Sequence, residues 1–238
     1  MFKKLLAIVA DFIYRQMKYI PLYSFIILLI MAGCSNDNKQ ANSSNDKGKA
    51  DTAKTEKKIL FFGNSLTAGY GLEEPTEAFP SIIQQKIDSL NLPYKVVNAG
   101  LSGETTAGGL SRINWLLKQQ IDIFVLELGA NDGLRGIPVT ETRRNLQSIL
   151  DTVKARYPNA KRILLGMEVP PNMGGKYVAD FRIIFREIAE RNNIPLVPFM
   201  LEGVAGNVKL NLRDGIHPTG EGYRIVAENV WEVLKNEL

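Results

Sequence analysis

Ile59-Leu60-Phe61-Phe62-Gly63-Asn64-Ser65-Leu66-Thr67 is the stretch from which the rest of the chain is read. Four large apolar residues in a row, with no polar alternation, describe a strand buried on both faces. Such strands belong to parallel sheets covered by helices on each side. The run stops at a glycine and turns polar, so Ser65 falls where a strand hands over to a turn. Comparable β-rich runs recur at 94–98, 123–128, 162–168 and 195–197, too far apart for hairpins. Segments of helical period lie between them at 78–89, 105–119, 139–156 and 176–191, and 219–235 closes the chain. Within 139–156, Leu146, Ile149, Leu150 and Val153 fall on one helical face. Strands alternating with helices in this way predict a single doubly wound α/β domain over 58–238 with a parallel sheet and right-handed crossovers.

The first 57 residues do not read as part of that domain. Residues 20–33 form an uncharged apolar run of 14, short for a bilayer span and suited to a signal-peptide core. It ends in Met31-Ala32-Gly33-Cys34, which resembles the lipobox of bacterial lipoproteins, where the cysteine is lipidated and becomes the mature N-terminus. The expected organisation is therefore a lipoprotein-type signal peptide over 1–33, a polar tether over 34–57, and the domain. Met17 is an alternative start, since it would give a more compact signal. The tether has no aromatic and no large aliphatic residue, so it cannot offset ordering entropy by burial. As a flexible coil its reach is on the order of 25 Å. The expected location is the bacterial cell envelope, lipid-anchored through Cys34, on the periplasmic or the outer side.

Charge and ligand chemistry exclude several classes. Residues 1–33 carry a net +3 of the chain's +4, so the remainder stands at +1 and the basic balance of the whole chain is no evidence for nucleic-acid binding. The one cysteine is Cys34, which leaves the domain without a thiol or an intramolecular disulfide. With one histidine and no clustered carboxylates a catalytic zinc site is not expected. Neither a P-loop nor Gly-x-Gly-x-x-Gly follows a strand, so no cofactor is called for.

The single histidine, His217 in Asp214-Gly215-Ile216-His217-Pro218, must carry any imidazole chemistry the protein performs. Asp214, three residues earlier, can orient one ring nitrogen while the other faces a nucleophile, and Pro218 restricts the backbone of His217 to extended conformations. A serine needs such a base, and the oxyanion it creates needs donors. Ser65 is the candidate nucleophile, although a serine after a strand is also an ordinary helix cap. Candidate donors are the Ser65 N–H, Gly103 in Ser102-Gly103-Glu104-Thr105, and the side chain of Asn131 in Gly129-Ala130-Asn131-Asp132-Gly133. All five residues lie after strand ends or before the last helix, on the side where open α/β sheets bind ligands.

The blocks Gly-Asn-Ser-Leu, Ser-Gly-Glu-Thr-Thr, Gly-Ala-Asn-Asp and Asp-Gly-Ile-His-Pro resemble, in order and spacing, those of the SGNH, or GDSL, hydrolase superfamily, from about Lys58 to the C-terminus. The resemblance implies a flavodoxin-like three-layer α/β/α fold with a five-stranded parallel sheet. It also implies Ser65 as nucleophile, Asp214 and His217 as its partners, and Gly103 and Asn131 as oxyanion donors. One departure is Asn64, where the superfamily has Asp. Ser65-Leu66-Thr67-Ala68-Gly69-Tyr70-Gly71-Leu72, the segment from Gly129 to Gly136 and Pro170-Pro171-Asn172-Met173-Gly174 are closest to its exported branch of thioesterases, lysophospholipases and arylesterases. That branch implies Ile137, Met173 and Tyr177 as walls of an acyl groove. The expected activity is hydrolysis of acyl esters or thioesters through an acyl-enzyme. The alternatives are an O-acetylesterase of envelope carbohydrate and a non-catalytic surface lipoprotein.

Overall fold

The computed structural model describes residues 56–238, and the signal, lipobox and most of the tether expected from the sequence lie outside them. Five strands form one parallel sheet: β1 (Lys57–Gly63), β2 (Tyr94–Gly100), β3 (Ile123–Glu127), β4 (Lys161–Leu165) and β5 (Leu196–Val197). Their order is β2-β1-β3-β4-β5, the flavodoxin-like arrangement. β1 begins at Lys57, paired with Tyr94, one residue before the domain start expected from the sequence.

Among the described residues six α-helices connect the strands and a seventh follows the last: α1 (Ser65–Ala68), α2 (Phe79–Ser89), α3 (Thr106–Leu116), α4 (Ala130–Leu134), α5 (Val139–Arg156), α6 (Gly175–Asn192) and α7 (Gly220–Leu234). α2 packs with α7 on one face of the sheet, while α3, α5 and α6 pack in sequence on the other. The alternation of β1 side chains explains the two faces. Phe61 meets Phe79 of α2 edge-on at 5.5 Å, and Phe62 lies under the Arg112 guanidinium of α3 at 4.3 Å. On α5 the predicted stripe of Leu146, Ile149, Leu150 and Val153 is fully buried. Burial stabilises such side chains by about 1.5–3 kcal/mol each.

The order of strands places the site. The chain leaves β1 toward one edge of the sheet and β3 toward the other, so the loops after β1 and β3 diverge and leave a crevice at the strand ends. Among the described residues no helix is long and apolar enough to cross a membrane.

Candidate active site

Gly63 ends β1 with no room for a side chain, because a Cβ there would lie 2.1 Å from Thr67 Oγ1 and 2.5 Å from Glu127 Oε2. The chain can therefore turn tightly into α1. Asn64 caps that helix by accepting from the Leu66 N–H at 2.9 Å, which presents Ser65 at the first helical position. The N–H of Ser65 has no intrahelical acceptor at that position.

The loop before α7 supplies the other half. Leu212 N–H donates to the His217 carbonyl at 2.7 Å and Thr219 N–H to Leu210 at 2.9 Å, so 210–219 folds back on itself as a short antiparallel turn. This pins the backbone of His217 on both sides. Asp214 Oδ1 accepts from the N–H groups of Ile216 and His217 at 2.9 and 3.0 Å, and Oδ2 accepts from His217 Nδ1 at 2.7 Å. Because a carboxylate only accepts, Nδ1 carries the proton and Nε2 is left as an acceptor. Ser65 Oγ donates to Nε2 at 2.8 Å, across 152 residues of sequence. Partial burial opposes ionisation of Asp214, but the hydrogen bonds from His217 and Ile216 outweigh it and hold its carboxyl at about 2, below the ordinary 3.8. It is an anion whenever His217 works as a base. The Tyr70 ring lies against the imidazole, with centroids 4.7 Å apart and planes tilted by 46°.

Gly103 and Asn131 border the same cavity of about 280 Å³ as Ser65 and His217. Gly103 adopts φ +79°, a left-handed conformation open to glycine at little strain. The Asn131 side chain is oriented by donating from Nδ2 to the Glu104 carbonyl at 2.9 Å, which leaves its second amide hydrogen free. The site thus brings together all five residues singled out from sequence motifs. Ile137, Met173 and Tyr177 line neither this cavity nor the apolar one beside it. Tyr177 turns its hydroxyl to the Ile137 carbonyl at 2.8 Å and stacks on Phe181, while Met173 packs against the core. An apolar cavity of about 450 Å³ opens beside the catalytic one and shares Leu66, Ala130, Leu134 and Ile216 with it, with Met167 and Val169 among its other walls.

Three buried acids stand behind the site, Asp132 and Glu104 within the motif blocks and Glu127 outside them. Glu127, at the end of β3, is fully buried and accepts from Asn64 N, Asn64 Nδ2 and Thr67 Oγ1 at 2.9, 2.7 and 2.9 Å. Its burial pushes the carboxyl up to about 7, against the pull of those donors. Asp132, also fully buried, accepts from the N–H and hydroxyl of Thr106 and so ties α4 to the start of α3. Glu104 is held by Arg112, which contacts its two oxygens at 2.5 Å each. A charge ending an otherwise apolar strand is the one signal in the sequence that marks Glu127, since burying it requires dedicated partners. Among the described residues no three His, Cys, Asp or Glu side chains gather to hold a metal ion.

A serine hydrogen-bonded to an imidazole that an aspartate orients, at the strand ends of a flavodoxin-like sheet, defines a serine hydrolase of the α/β/α sandwich type. Residues 61–225 match the GDSL-like Lipase/Acylhydrolase family, and the chain belongs to that family. It is 39% identical over 178 residues to Esterase TesA of Pseudomonas aeruginosa, covering 74% of this chain and 87% of that one. It is 38% identical over 171 residues to Thioesterase 1/protease 1/lysophospholipase L1 of Escherichia coli K12, covering 71% and 79%. A crystal structure of TesA superposes with a TM-score of 0.73 at 38% identity, covering 76% of this chain and all of the other. The protein is a carboxylic ester hydrolase, and its expected fold, class and activity are those found.

Proposed function

We propose that Ser65 attacks the carbonyl carbon of an acyl ester or thioester while His217 Nε2 takes its proton and Asp214 holds the ring. The observation that carries this reading is the unbroken chain from Ser65 Oγ to His217 to Asp214 at 2.8 and 2.7 Å. The N–H groups of Ser65 and Gly103 and the free hydrogen of the Asn131 amide stabilise the oxyanion. As the tetrahedral species collapses, the bond to the leaving alcohol or thiol breaks and His217 returns the proton to it. Water then attacks the acyl-enzyme with His217 again as base, which releases the acid and restores Ser65. The acyl chain occupies the apolar cavity between Leu134, Ile216, Met167 and Val169. Its position beside the nucleophile, with shared walls, supports this assignment. Ser65→Ala is expected to abolish hydrolysis of short-chain p-nitrophenyl esters and labelling by a fluorophosphonate. Undiminished turnover in that variant would reject the mechanism.

The domain works at the cell envelope, tethered by a lipid on Cys34. This rests on the apolar run before Met31-Ala32-Gly33-Cys34 and the polar stretch after it. Metabolic labelling with a fatty-acid analogue should mark the full-length chain and spare Cys34→Ala. Equal labelling of both would remove the anchor from the reading.

A further inference from the structure

We propose that Glu127 is a positioning residue that fixes the nucleophile turn, and that asparagine at position 64 lets it do so as a lone carboxyl group, with no second acid beside it. The proposal rests on Ser65 being the nucleophile.

The argument is one of donors and acceptors. Every polar contact of Glu127 is a donor pointing at it: the Asn64 N–H, the Asn64 side-chain amide and the Thr67 hydroxyl. With its NH2 committed to Glu127 Oε1, the Asn64 carboxamide can turn only its oxygen the other way. That oxygen accepts from the Leu66 N–H at 2.9 Å and lies 3.4 Å from Ser65 Oγ. Glu127 therefore sets which end of Asn64 caps α1, and the cap sets where Ser65 stands. Residues on both sides of the nucleophile, Asn64 and Thr67, hang from one buried carboxylate. The absence of a side chain on Gly63 is what lets that carboxylate come so close.

An aspartate at position 64 would put a second carboxylate 2.7 Å from Glu127, taking the distance from the present amide contact. Two such groups share one proton and resist losing it. The turn would then be held by a titrating pair. Asn64 supplies the same hydrogen bond from a group that does not titrate. The other titratable groups near Glu127 do not take over this role. Tyr223 of α7 has a buried hydroxyl without a partner among the described residues, and burial, Glu127 and Asp214 all push its ionisation up. Arg112 of α3 reaches the Gly63 carbonyl at 3.4 Å, and its carboxylate partner is Glu104.

Three variants test the proposal. In Glu127→Gln the new NH2 meets an Asn64 N–H at either end, the side-chain amide at one and the backbone at the other, so a contact to Asn64 is lost. A displaced nucleophile is expected to lower kcat by ~10²-fold, with KM changing much less. In Asn64→Asp combined with Glu127→Gln the donor and acceptor simply change sides. The amide introduced at position 127 donates to the carboxylate introduced at position 64, and its oxygen accepts from the position-64 N–H and from Thr67. In that double variant kcat should recover by at least ~10-fold over Glu127→Gln alone, a small part of the range spanned by a well-aligned reacting pair. Asn64→Asp alone should be active near neutral pH and lose kcat on an alkaline limb absent from the parent, as the shared proton leaves. Wild-type kcat in Glu127→Gln, or a double variant no better than it, would overturn the proposal. Should Glu127→Gln fail to fold, the pH profile decides, and superimposable profiles for Asn64→Asp and the parent overturn it. Ser65→Ala run alongside keeps the two readings apart, since activity surviving in that variant strikes at the nucleophile and not at its support.

Discussion

Replacing Arg112 by methionine leaves Glu104 buried with its charge uncompensated. The Glu104 side chain is 2% exposed and that of Arg112 22%. The guanidinium makes two contacts of 2.5 Å to Glu104, donates to the Ala99 carbonyl at 2.8 Å and covers the Phe62 ring at 4.3 Å. Removing one partner of a buried ion pair costs ~3–5 kcal/mol. Because a fifth of the arginine meets water, the lower end applies, about 3 kcal/mol. For a domain of this size each kcal/mol moves the melting temperature by ~2–4 °C, so a fall of ~6–12 °C is expected by calorimetry. Activity should fall as well, because Arg112 holds the loop whose Glu104 carbonyl orients the Asn131 amide. The diagnostic companion is Arg112→Met with Glu104→Leu. Removing both partners takes away the stranded charge, and most of the lost stability should return. A melting temperature for Arg112→Met within about 2 °C of the parent would refute the reasoning, since a drop that small is under 1 kcal/mol.

Loss of one oxyanion donor typically lowers turnover by ~10²–10³, so Asn131→Ala should reduce kcat on that scale in stopped-flow ester hydrolysis. Unchanged kcat would take Asn131 out of the site. Ile216→Trp should narrow the apolar cavity and shift the preferred p-nitrophenyl ester to shorter acyl chains, and an unaltered chain-length profile would place the acyl group elsewhere. The two perturbed carboxyls act on stability in opposite senses. Asp214, lowered to about 2, contributes stability that is present above its ordinary 3.8 and is lost as pH falls through about 2. Glu127, raised to about 7, favours the folded state at acid pH and loses that contribution, about 3 kcal/mol, as pH rises from 4.5 to about 7. Melting curves at pH 5 and 7.5 should show a smaller decline for Glu127→Gln than for the parent, and equal declines would count against a buried proton at this position.

The parts of the protein legible in its sequence are those whose energetics are local or periodic. The helix expected over 139–156 is found with those bounds, because a buried stripe at i, i+3 and i+4 leaves a pattern that no loop imitates. The five strands are likewise visible as apolar runs. Their ends are not, and β4 stops at Leu165 although the apolar run continues to Met167, because hydrogen bonds to a two-residue edge strand decide where pairing ends. α1 and α4 have four and five residues, too few for any period, and exist because the strands before them deliver the chain into a crevice.

The site divides along the same line. Ser65, Gly103, Asn131, Asp214 and His217 are legible because each sits in a short block whose turn chemistry is local. Ile137, Met173 and Tyr177 follow only from the position of their segments, and position along a loop does not determine which way a side chain points. Here the Tyr177 hydroxyl closes onto the Ile137 carbonyl, and the apolar cavity forms between Leu134, Ile216 and the segment following β4. Glu127 is the clearest case of information that the sequence carries without revealing its partner. Its contacts lie 60 and 63 residues away, on the one turn where the chain departs from the expected aspartate. An amide at position 64 and a carboxylate at position 127 make one acceptor–donor unit, and either residue considered alone is an anomaly. The departure from the usual motif is thus explained by a residue outside every motif, and the nucleophile is held by a carboxyl group that never meets the substrate.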